Sequence, residues 1–549
     1  MNIIPIKACR ICKSEKLDNL FSLGDLYIST FVKNIGENIG KAPLTLVWCE
    51  NCTLVQLEHT APQELMYSGH YWYKSGLNEV IKKDLREITE IARNMVSLKS
   101  GEIVLDIGAN DGTLLSFYPK EVVKVGCEPA TNLSEDMKKH ADLPITDFWT
   151  YENYIRVAGT RKAKIITAIG MFYDMEDPNQ FIRDARMVLD QNGIFIAQLM
   201  TSKPMLKSLD LGNICHEHIE YYSYESLKHL FEKNGLEIFK VEENSINGGS
   251  YRLFARHYTK GSVPYPEDIT KESYLKFAEK IQNNAKECVK LIRELVKQGK
   301  KVYGYGASTK GNTILQYYGL NCNDIVGIAE IHEDKIGKYT VGTHVPIVKE
   351  NEAKMKADYF LVLPYAFRDS FINREKEWLN KGGKFIFCTP QVEIYPSENN
   401  NLKNNKNPVV VMVSGGFDPL HIGHLFSFQS AKSLGDKLIV VVDGDDFLID
   451  KKGQPFMPLE DRVAIIKELR CVDEVIVMGR GEIDDAILNI RPNIFAKGGD
   501  RNSLSTIPNS EREACEKVGC KIVFNVGGGK IRSSSELLQK WVEFKTKNY

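Results

Sequence analysis

The chain has 549 residues, 43% of them hydrophobic and 26% charged, with a formal net charge of −1, which predicts about three or four ordinary globular domains. So neutral a chain has no global basic field for nucleic acid or an anionic membrane, and no run approaches the roughly 18 apolar residues of a spanning helix. Residues 1–11 lack the apolar core and cleavage signature of a secretory signal, so the cysteines read as reduced thiols and metal ligands of a cytoplasmic protein rather than as disulfides.

Cys9-x-x-Cys12 and Cys49-x-x-Cys52 come first. Each pair can clamp one side of a tetrahedral Zn²⁺ as thiolates, and four protein ligands leave no open position, so the expected role is structural. Four incidental buried cysteines are the alternative. Residues 67–78 are dense in aromatics and hydroxyls. They read either as a patch packing one lobe on the next, or as a lid that brings Tyr71 and Tyr73 to a substrate.

The apolar run 102–105 reads as a buried strand. It ends at Asp106 in a turn carrying Gly108, Asn110 and Gly112, with a helical pattern from Thr113. Strand, glycine turn and helix open a Rossmann-like unit, where backbone can approach a ligand closely. The spacing is not that of the dinucleotide fingerprint. It resembles motif I of class I methyltransferases, which bind S-adenosylmethionine. A second strand, 122–127, ends at Glu128, whose carboxylate can accept from both ribose hydroxyls. Further strand signals at 164–169 and 193–199, with helical patterns between, predict a parallel sheet covered on both faces. Asp147 and Phe148 fall where a third strand should end. The carboxylate is placed on the adenine amine and the ring against the base.

Cys215-His216-Glu217-His218 lies in a polar stretch. The i, i+2 spacing predicts both imidazoles on one face of an extended segment. Histidine titrates near neutrality and is the usual general base, and Glu217 can fix a ring's tautomer. A metal reading lacks a third ligand at a recognisable spacing, and a hydrogen-bonded structural turn is the other alternative. Asn247-Gly248-Gly249-Ser250 forms a tight turn assigned to the same cleft.

The cysteine pairs, the aromatic segment, Leu-Asp-Ile-Gly-Ala-Asn-Asp-Gly, the His-Glu-His turn and Asn-Gly-Gly-Ser occur in that order to about residue 395. Together they resemble the zinc-containing sugar C-methyltransferases acting on nucleotide-linked keto-deoxysugars. The resemblance implies a third, Rossmann-like lobe helping to hold the nucleotide sugar, seen in residues 301–313, where glycines, hydroxyls and Lys310 before a helix suit a phosphate. It also implies a mechanism in which His218, partnered by Glu217, removes an acidic proton beside a ketone and the enolate carbon attacks the sulfonium methyl. Two positions depart from the pattern: Cys215 replaces a tyrosine and Asp174 a histidine, which puts the sugar and the methylated atom in question.

Residues 397–407 are polar and low in complexity, a flexible linker. Beyond it, an apolar strand at 409–413 leads into Gly415-Gly416-Phe417-Asp418-Pro419-Leu420-His421-Ile422-Gly423-His424. His421 and His424, three apart, share a face of the first helical turn, and the glycines let backbone close on a phosphate at a positive helix end. This stretch resembles the cytidylyltransferase-like nucleotidyltransferases, of the glycerol-phosphate cytidylyltransferase and heptose-phosphate adenylyltransferase types. Arg462, Lys497 to Asp500, and Ser533, Ser534 and Ser535 match later pieces of that family. Asp443 at a strand end is a candidate for substrate or metal, and Lys451 or Lys452, Arg462 and Ser533 to Ser535 are candidates for the triphosphate tail.

The expected architecture is α/β throughout: a zinc module over 1–70, a methyltransferase domain over 71–258, its second Rossmann-like lobe over 259–395, a linker over 396–408 and a HIGH-type nucleotidyltransferase domain over 409–549. The expected activities are methyl transfer to a nucleotide sugar and nucleotidyl transfer from ATP or CTP, with Mg²⁺, to a sugar or polyol phosphate. A homo-oligomer stays open. The rivals are a glycerol- or ribitol-type cytidylyltransferase fused to an unrelated methyltransferase, or to lobes that only bind a nucleotide sugar.

Overall fold

Five short apolar strands, Ile103–Ile107, Val123–Cys127, Leu143–Ile145, Ala163–Ile169 and Leu189–Met200, run parallel at the centre of the N-terminal region. The structure is a computed structural model and describes residues 3–37, 39–61, 66, 71–396, 409–479, 483–498, 503, 506–527 and 534. The chain divides into two units, Met1–Ser397 and Glu398–Tyr549. In the first, Ser250–His257 pairs antiparallel with Leu189–Met200, and Leu236–Asn244 pairs antiparallel with Ser250–His257, closing a seven-stranded sheet. Every residue of Ile103–Ile107 is buried, the mark of a parallel strand covered on both faces.

The cysteine module is sewn into both lobes that follow it. Its antiparallel strands Leu17–Tyr27, Lys41–Cys49 and Val55–Leu57 are completed by Glu220–Tyr221, which leads directly out of the His-Glu-His turn. On its other side Phe31–Val32 pairs with Tyr339–Thr340 of the third lobe. Helix Lys271–Lys297 enters that lobe with Thr270 as N-cap and buries Tyr274, Phe277, Ile281, Ala285, Cys288, Ile292 and Leu295, one stripe at helical spacing. The lobe's sheet runs Ile347–Lys349, Ile328–Glu330, Val302–Tyr305, Tyr359–Val362, Lys384–Phe387, all parallel, with Glu393–Tyr395 antiparallel at the edge.

The second unit is a single parallel sheet in the order Glu474–Met478, Lys437–Asp443, Val410–Gly415, Ile494–Gly498, Lys521–Val526. Helices connect its strands, a doubly wound order that reverses beside Val410–Gly415. No helix among the described residues is long and apolar enough to cross a membrane.

Candidate functional sites

Cys9, Cys12, Cys49 and Cys52 meet in the first unit. Their sulfurs lie within 4.8 Å of one another, with Cys9–Cys52 at 3.5 Å and Cys12–Cys49 at 3.4 Å. A tetrahedral zinc with Zn–S of about 2.3 Å sets its sulfurs about 3.8 Å apart, so the four fit that ion. Each pair sits on the same backbone knuckle, closed by Lys13 N–H to Cys9 O and Thr53 N–H to Cys49 O.

Beyond the strand end at Ile107 lies a cavity of about 350 Å³, within the range of small-molecule sites. Asp106, Gly108, Asn110 and Glu128 line it, with Tyr71, Tyr73, Phe148, Asp174, Met200 and Asn247. The loop is wired by a carboxylate: Glu128 accepts from Asn110 N–H at 2.9 Å and Ala130 N–H at 2.8 Å. Gly108 has φ +71°, and a Cβ there would meet Met171 Cγ at 2.6 Å. Asp106 is buried and accepts the Thr167 hydroxyl at 2.6 Å. Burial lifts its carboxyl to about 7 and also raises Glu128.

The aromatic segment folds onto this loop. Asn110 accepts from Ser75 N–H at 2.9 Å and donates to Tyr73 O at 3.1 Å, Asp111 accepts from Gly76 N–H at 2.8 Å, and Tyr71 exchanges two hydrogen bonds with Asn132. Residues 67–70 of the segment lie outside the described residues.

The two imidazoles of the His-Glu-His stretch do not share a face. The backbone forms a turn, with His218 N–H donating to Cys215 O, which sends the rings apart. His216 Nε2 meets Ala42 O of the cysteine module at 2.9 Å, so this imidazole serves the junction with that module and not the cleft. His218 Nδ1 lies 2.9 Å from Asn213 O. A carbonyl only accepts, so Nδ1 carries the proton and Nε2 keeps its lone pair. The ring packs edge-on against Tyr173 at 4.5 Å. Burial pushes its conjugate acid down to about 3 and lifts the Glu217 carboxyl to about 7. Ligand atoms of Cys215, Glu217 and His218 come within 4.8 Å of one another, supplying the third potential ligand that sequence spacing did not reveal.

Other expected positions fall differently. Asp147 is exposed, is absent from the cavity wall and accepts from its own neighbour Phe148 N–H at 2.7 Å; Phe148 is the residue of the pair that reaches the cavity. Gly112 starts the helix Thr113–Ser116, where a Cβ would stand 3.0 Å from Met137 Cα, and it too is absent from the wall. Of the Asn-Gly-Gly-Ser turn, Asn247 and Ser250 line the cavity and Gly248 does not. Lys310 lies in helix Thr309–Tyr318, its Nζ 2.9 Å from Met200 Sδ and 3.7 Å from Asp210.

In the second unit, helix Ile422–Lys432 begins at His421. The rings of His421 and His424 stack 3.8 Å apart, and Phe417, at φ +48°, packs edge-on against His424. Gly415 ends the strand, and a Cβ on Gly416 would stand 2.7 Å from Leu448 Cδ2. Arg462, expected on the triphosphate, is wholly buried. It donates through Nη1 to Gly416 O at 2.6 Å and Asp443 O at 2.8 Å, through Nη2 to Asp445 at 2.6 Å, and through Nε to Met457 O at 3.1 Å. All three nitrogens are spent on the protein, so Arg462 shapes the loop instead of meeting a ligand. Lys452 donates to Asp418 O at 3.0 Å, Lys497 pairs with Glu511 at 2.7 Å, and Ser534 donates to Pro419 O at 3.0 Å beside the histidine loop. Asp500, Ser533 and Ser535 lie outside the described residues.

Four family models match the chain: a zinc binding domain over 9–67, a methyltransferase domain over 78–241, a C-methyltransferase C-terminal domain over 245–390 and a cytidylyltransferase-like domain over 412–539. The C-methyltransferase NovU of Streptomyces niveus is 28% identical over 415 residues, 72% of this chain and 98% of that protein. The chain thus carries zinc-binding, methyltransferase and C-methyltransferase C-terminal domains, with a cytidylyltransferase-like domain after them. Within that last domain, the FAD synthase of Pyrococcus horikoshii is 42% identical over 94 residues, and the bifunctional protein HldE of Methylococcus capsulatus 40% over 100. These stretches cover 17% and 18% of this chain, 64% of that FAD synthase and only 21% of that HldE. The chain is thus an enzyme with a methyltransferase and a nucleotidyltransferase domain.

Sequence reasoning passed over Asp84 and Gln198, both on the cavity wall of the methyltransferase domain. Asp84 takes Gln198 Nε2 at 2.5 Å and Arg252 Nη2 at 2.8 Å, tying helix Glu79–Met95 to the sheet. A signal was present: Asp84 interrupts the apolar stripe Ile81, Leu85, Ile88, where a buried carboxylate needs a partner.

Proposed function

We propose that the first unit C-methylates a nucleotide-linked keto sugar and that the second joins a nucleotide to a sugar or polyol phosphate with release of pyrophosphate. The observation that carries the first half is the His218 tautomer: Nδ1–H is engaged by the Asn213 carbonyl, so Nε2 can accept a proton. Asp106, Gly108, Asn110, Glu128 and Phe148 would hold S-adenosylmethionine, which supplies an electrophilic methyl group on a positive sulfur. The acidic wall suits that charge. His218 takes the proton beside the ketone, Glu217 adds a carboxyl within reach of it, and Tyr71 and Tyr73 close over the cleft. The four cysteines would hold a structural zinc. An imidazole whose conjugate acid lies near 3 is a weak base, and an anionic substrate entering the cleft raises it toward the working range.

In the second unit the acceptor's phosphate oxygen is already anionic and needs no strong base. His421, His424 and the backbone of Gly415 and Phe417 would neutralise charge at the α-phosphate, with Lys451, Lys497, Asp500 and Ser533 to Ser535 toward the rest of a Mg²⁺-bound ATP or CTP. Asp443, pushed up by burial, stands at the strand end within reach of the Lys451 and Lys497 charges.

Mass spectrometry tests both halves. The full chain is given S-adenosylmethionine with nucleoside-diphosphate 4-keto-6-deoxyhexoses, and separately ATP or CTP with a pool of sugar and polyol phosphates. A carbon-bound methyl on the first and a nucleotide-linked product with pyrophosphate from the second are expected. Ordinary S-adenosylmethionine binding without any methylated product would leave the first unit a binding scaffold. Adenylyl transfer favours heptose-like acceptors, cytidylyl transfer polyols.

A further inference from the structure

The charges around the His-Glu-His turn are unequal. Cys215, Glu217 and His218 bring their reactive atoms within 4.8 Å of one another. Lys310 is the one cation among the described residues that bears on all three, and it depresses each of them. It comes from another lobe, on the first turn of helix Thr309–Tyr318, where the helix dipole adds to its charge. That helix is seated against the turn: a Cβ on Gly212 would stand 3.1 Å from Lys310 Cβ and 3.3 Å from Ile314 Cδ1. The Lys310 ammonium also lies 2.9 Å from Met200 Sδ, and Met200 lines the donor cavity. The Lys310 ammonium is thus held at a residue of the donor cavity wall, within electrostatic reach of His218 and 3.7 Å from Asp210.

We propose that Lys310 is a catalytic residue whose ammonium holds the substrate's ketone oxygen as it becomes an enolate. The proposal rests on the C-methylation reading above. In the step, the carbon–hydrogen bond next to the ketone breaks and its proton goes to His218 Nε2. The bonding pair forms the carbon–carbon double bond, and the carbonyl pair moves onto oxygen, where the Lys310 N–H groups meet it. In the following step that pair returns, the carbon bonds the methyl group, and the carbon–sulfur pair stays on sulfur. Removing such a proton in water is hard because the anion is unstabilised. An ammonium fixed where charge develops lowers that barrier without reorganisation. A divalent ion on Cys215, Glu217 and His218 would have to share this space with Lys310, against like-charge repulsion.

The first step can be read without any methyl donor. The full-length protein is incubated in D₂O with dTDP-, CDP- and GDP-linked 4-keto-6-deoxyhexoses, and deuterium at the carbon beside the ketone is followed by NMR. Wild type exchanges this proton. Lys310→Met slows exchange at saturating sugar by about 100-fold or more, with the dissociation constant of the nucleotide sugar within threefold and an unchanged melting temperature. Lys310→Arg recovers part of the rate. Exchange by Lys310→Met within threefold of wild type overturns the proposal, as does a variant that only loses affinity, the phosphate-anchor outcome. A wild-type chain that exchanges none of the three sugars overturns the His218 assignment and this proposal together. Wild-type exchange with an unaffected Lys310→Met sinks this proposal alone.

Discussion

Both units hand a strand over to a helix through a glycine-bearing loop, and the two loops are wired with opposite charge. In the first, the carboxylate of Glu128 takes the N–H groups of Asn110 and Ala130. In the second, the guanidinium of Arg462 takes the carbonyls of Gly416 and Asp443. Each loop reaches its shape through left-handed backbone at one non-glycine position, Asn110 at φ +53° and Phe417 at φ +48°. Shape is therefore common, and the wiring decides the ligand. An anion that consumes backbone donors leaves an acidic cradle, suited to a cationic sulfonium. A cation that consumes backbone acceptors spares donors, suited to a polyphosphate. The buried carboxylate of the second loop, Asp418, follows the same economy: it is turned inward onto Phe456 N–H and Met457 N–H.

The severest break is chemical. His218→Ala removes the proposed base of the first unit, and methyl transfer should fall by two to four orders of magnitude, measured by single-turnover kinetics; a drop under tenfold would return the base to another group. Next comes the wiring itself. Arg462→Met leaves three carbonyls and Asp445 without their donor in a buried place, and should cost the second unit about 3–5 kcal/mol, read by urea unfolding with near-ultraviolet circular dichroism. A loss under 1 kcal/mol would mean that the loop holds its shape without the cation.

A smaller effect follows from pH. Burial raises Asp106 to about 7, so between about pH 4 and 7 the folded chain keeps a proton there that the unfolded chain has released. Without donor, stability should therefore decline as pH climbs from about 4 to about 7 and level off above. A cationic ligand favours the ionised carboxylate, so S-adenosylmethionine binding should release that proton. Its affinity should rise with pH up to about 7, at most tenfold per unit, and then flatten. Calorimetry in two buffers of different ionisation heat reads the proton count. Asp106→Asn should abolish the slope, and persistence of the slope in that variant would move the titration to Glu217 or Glu128.

Much of this was legible because glycine loops and strand ends carry local signals. Four of the five parallel strands, the cysteine pairs and the His421–His424 helix start are where periodicity and turn chemistry put them, and the third strand, Leu143–Ile145, ends two residues before the expected place. Three features were not legible, each for a tertiary reason. His216 and His218 diverge because a turn replaces the extended segment, and the cysteine module offers the Ala42 carbonyl to one of them. Arg462 looked like a ligand because its stretch resembles that of the nucleotidyltransferase family; only the fold shows the carbonyls around it. The Lys310 charge acts on His218 from another lobe, and no spacing in one dimension reports that.

The adenine end of the acidic site gives the mildest test and separates charge from shape. The sequence places Asp147 on the base amine with Phe148 stacked, whereas the fold leaves Asp147 exposed and bonded to Phe148 N–H, with Phe148 on the cavity wall. A half-buried ring against a flat base contributes about 0.5–1.5 kcal/mol beyond its area. Phe148→Ala should therefore weaken S-adenosylmethionine by about two- to tenfold, whereas Asp147→Ala, which removes only a local cap, should leave affinity within twofold; both are read by titration calorimetry at pH 8, above the Asp106 transition. If Asp147→Ala proved the costlier change, the exposed carboxylate would have to swing onto the base when the donor enters. The acidic cradle would then extend along the whole donor instead of ending at the ribose.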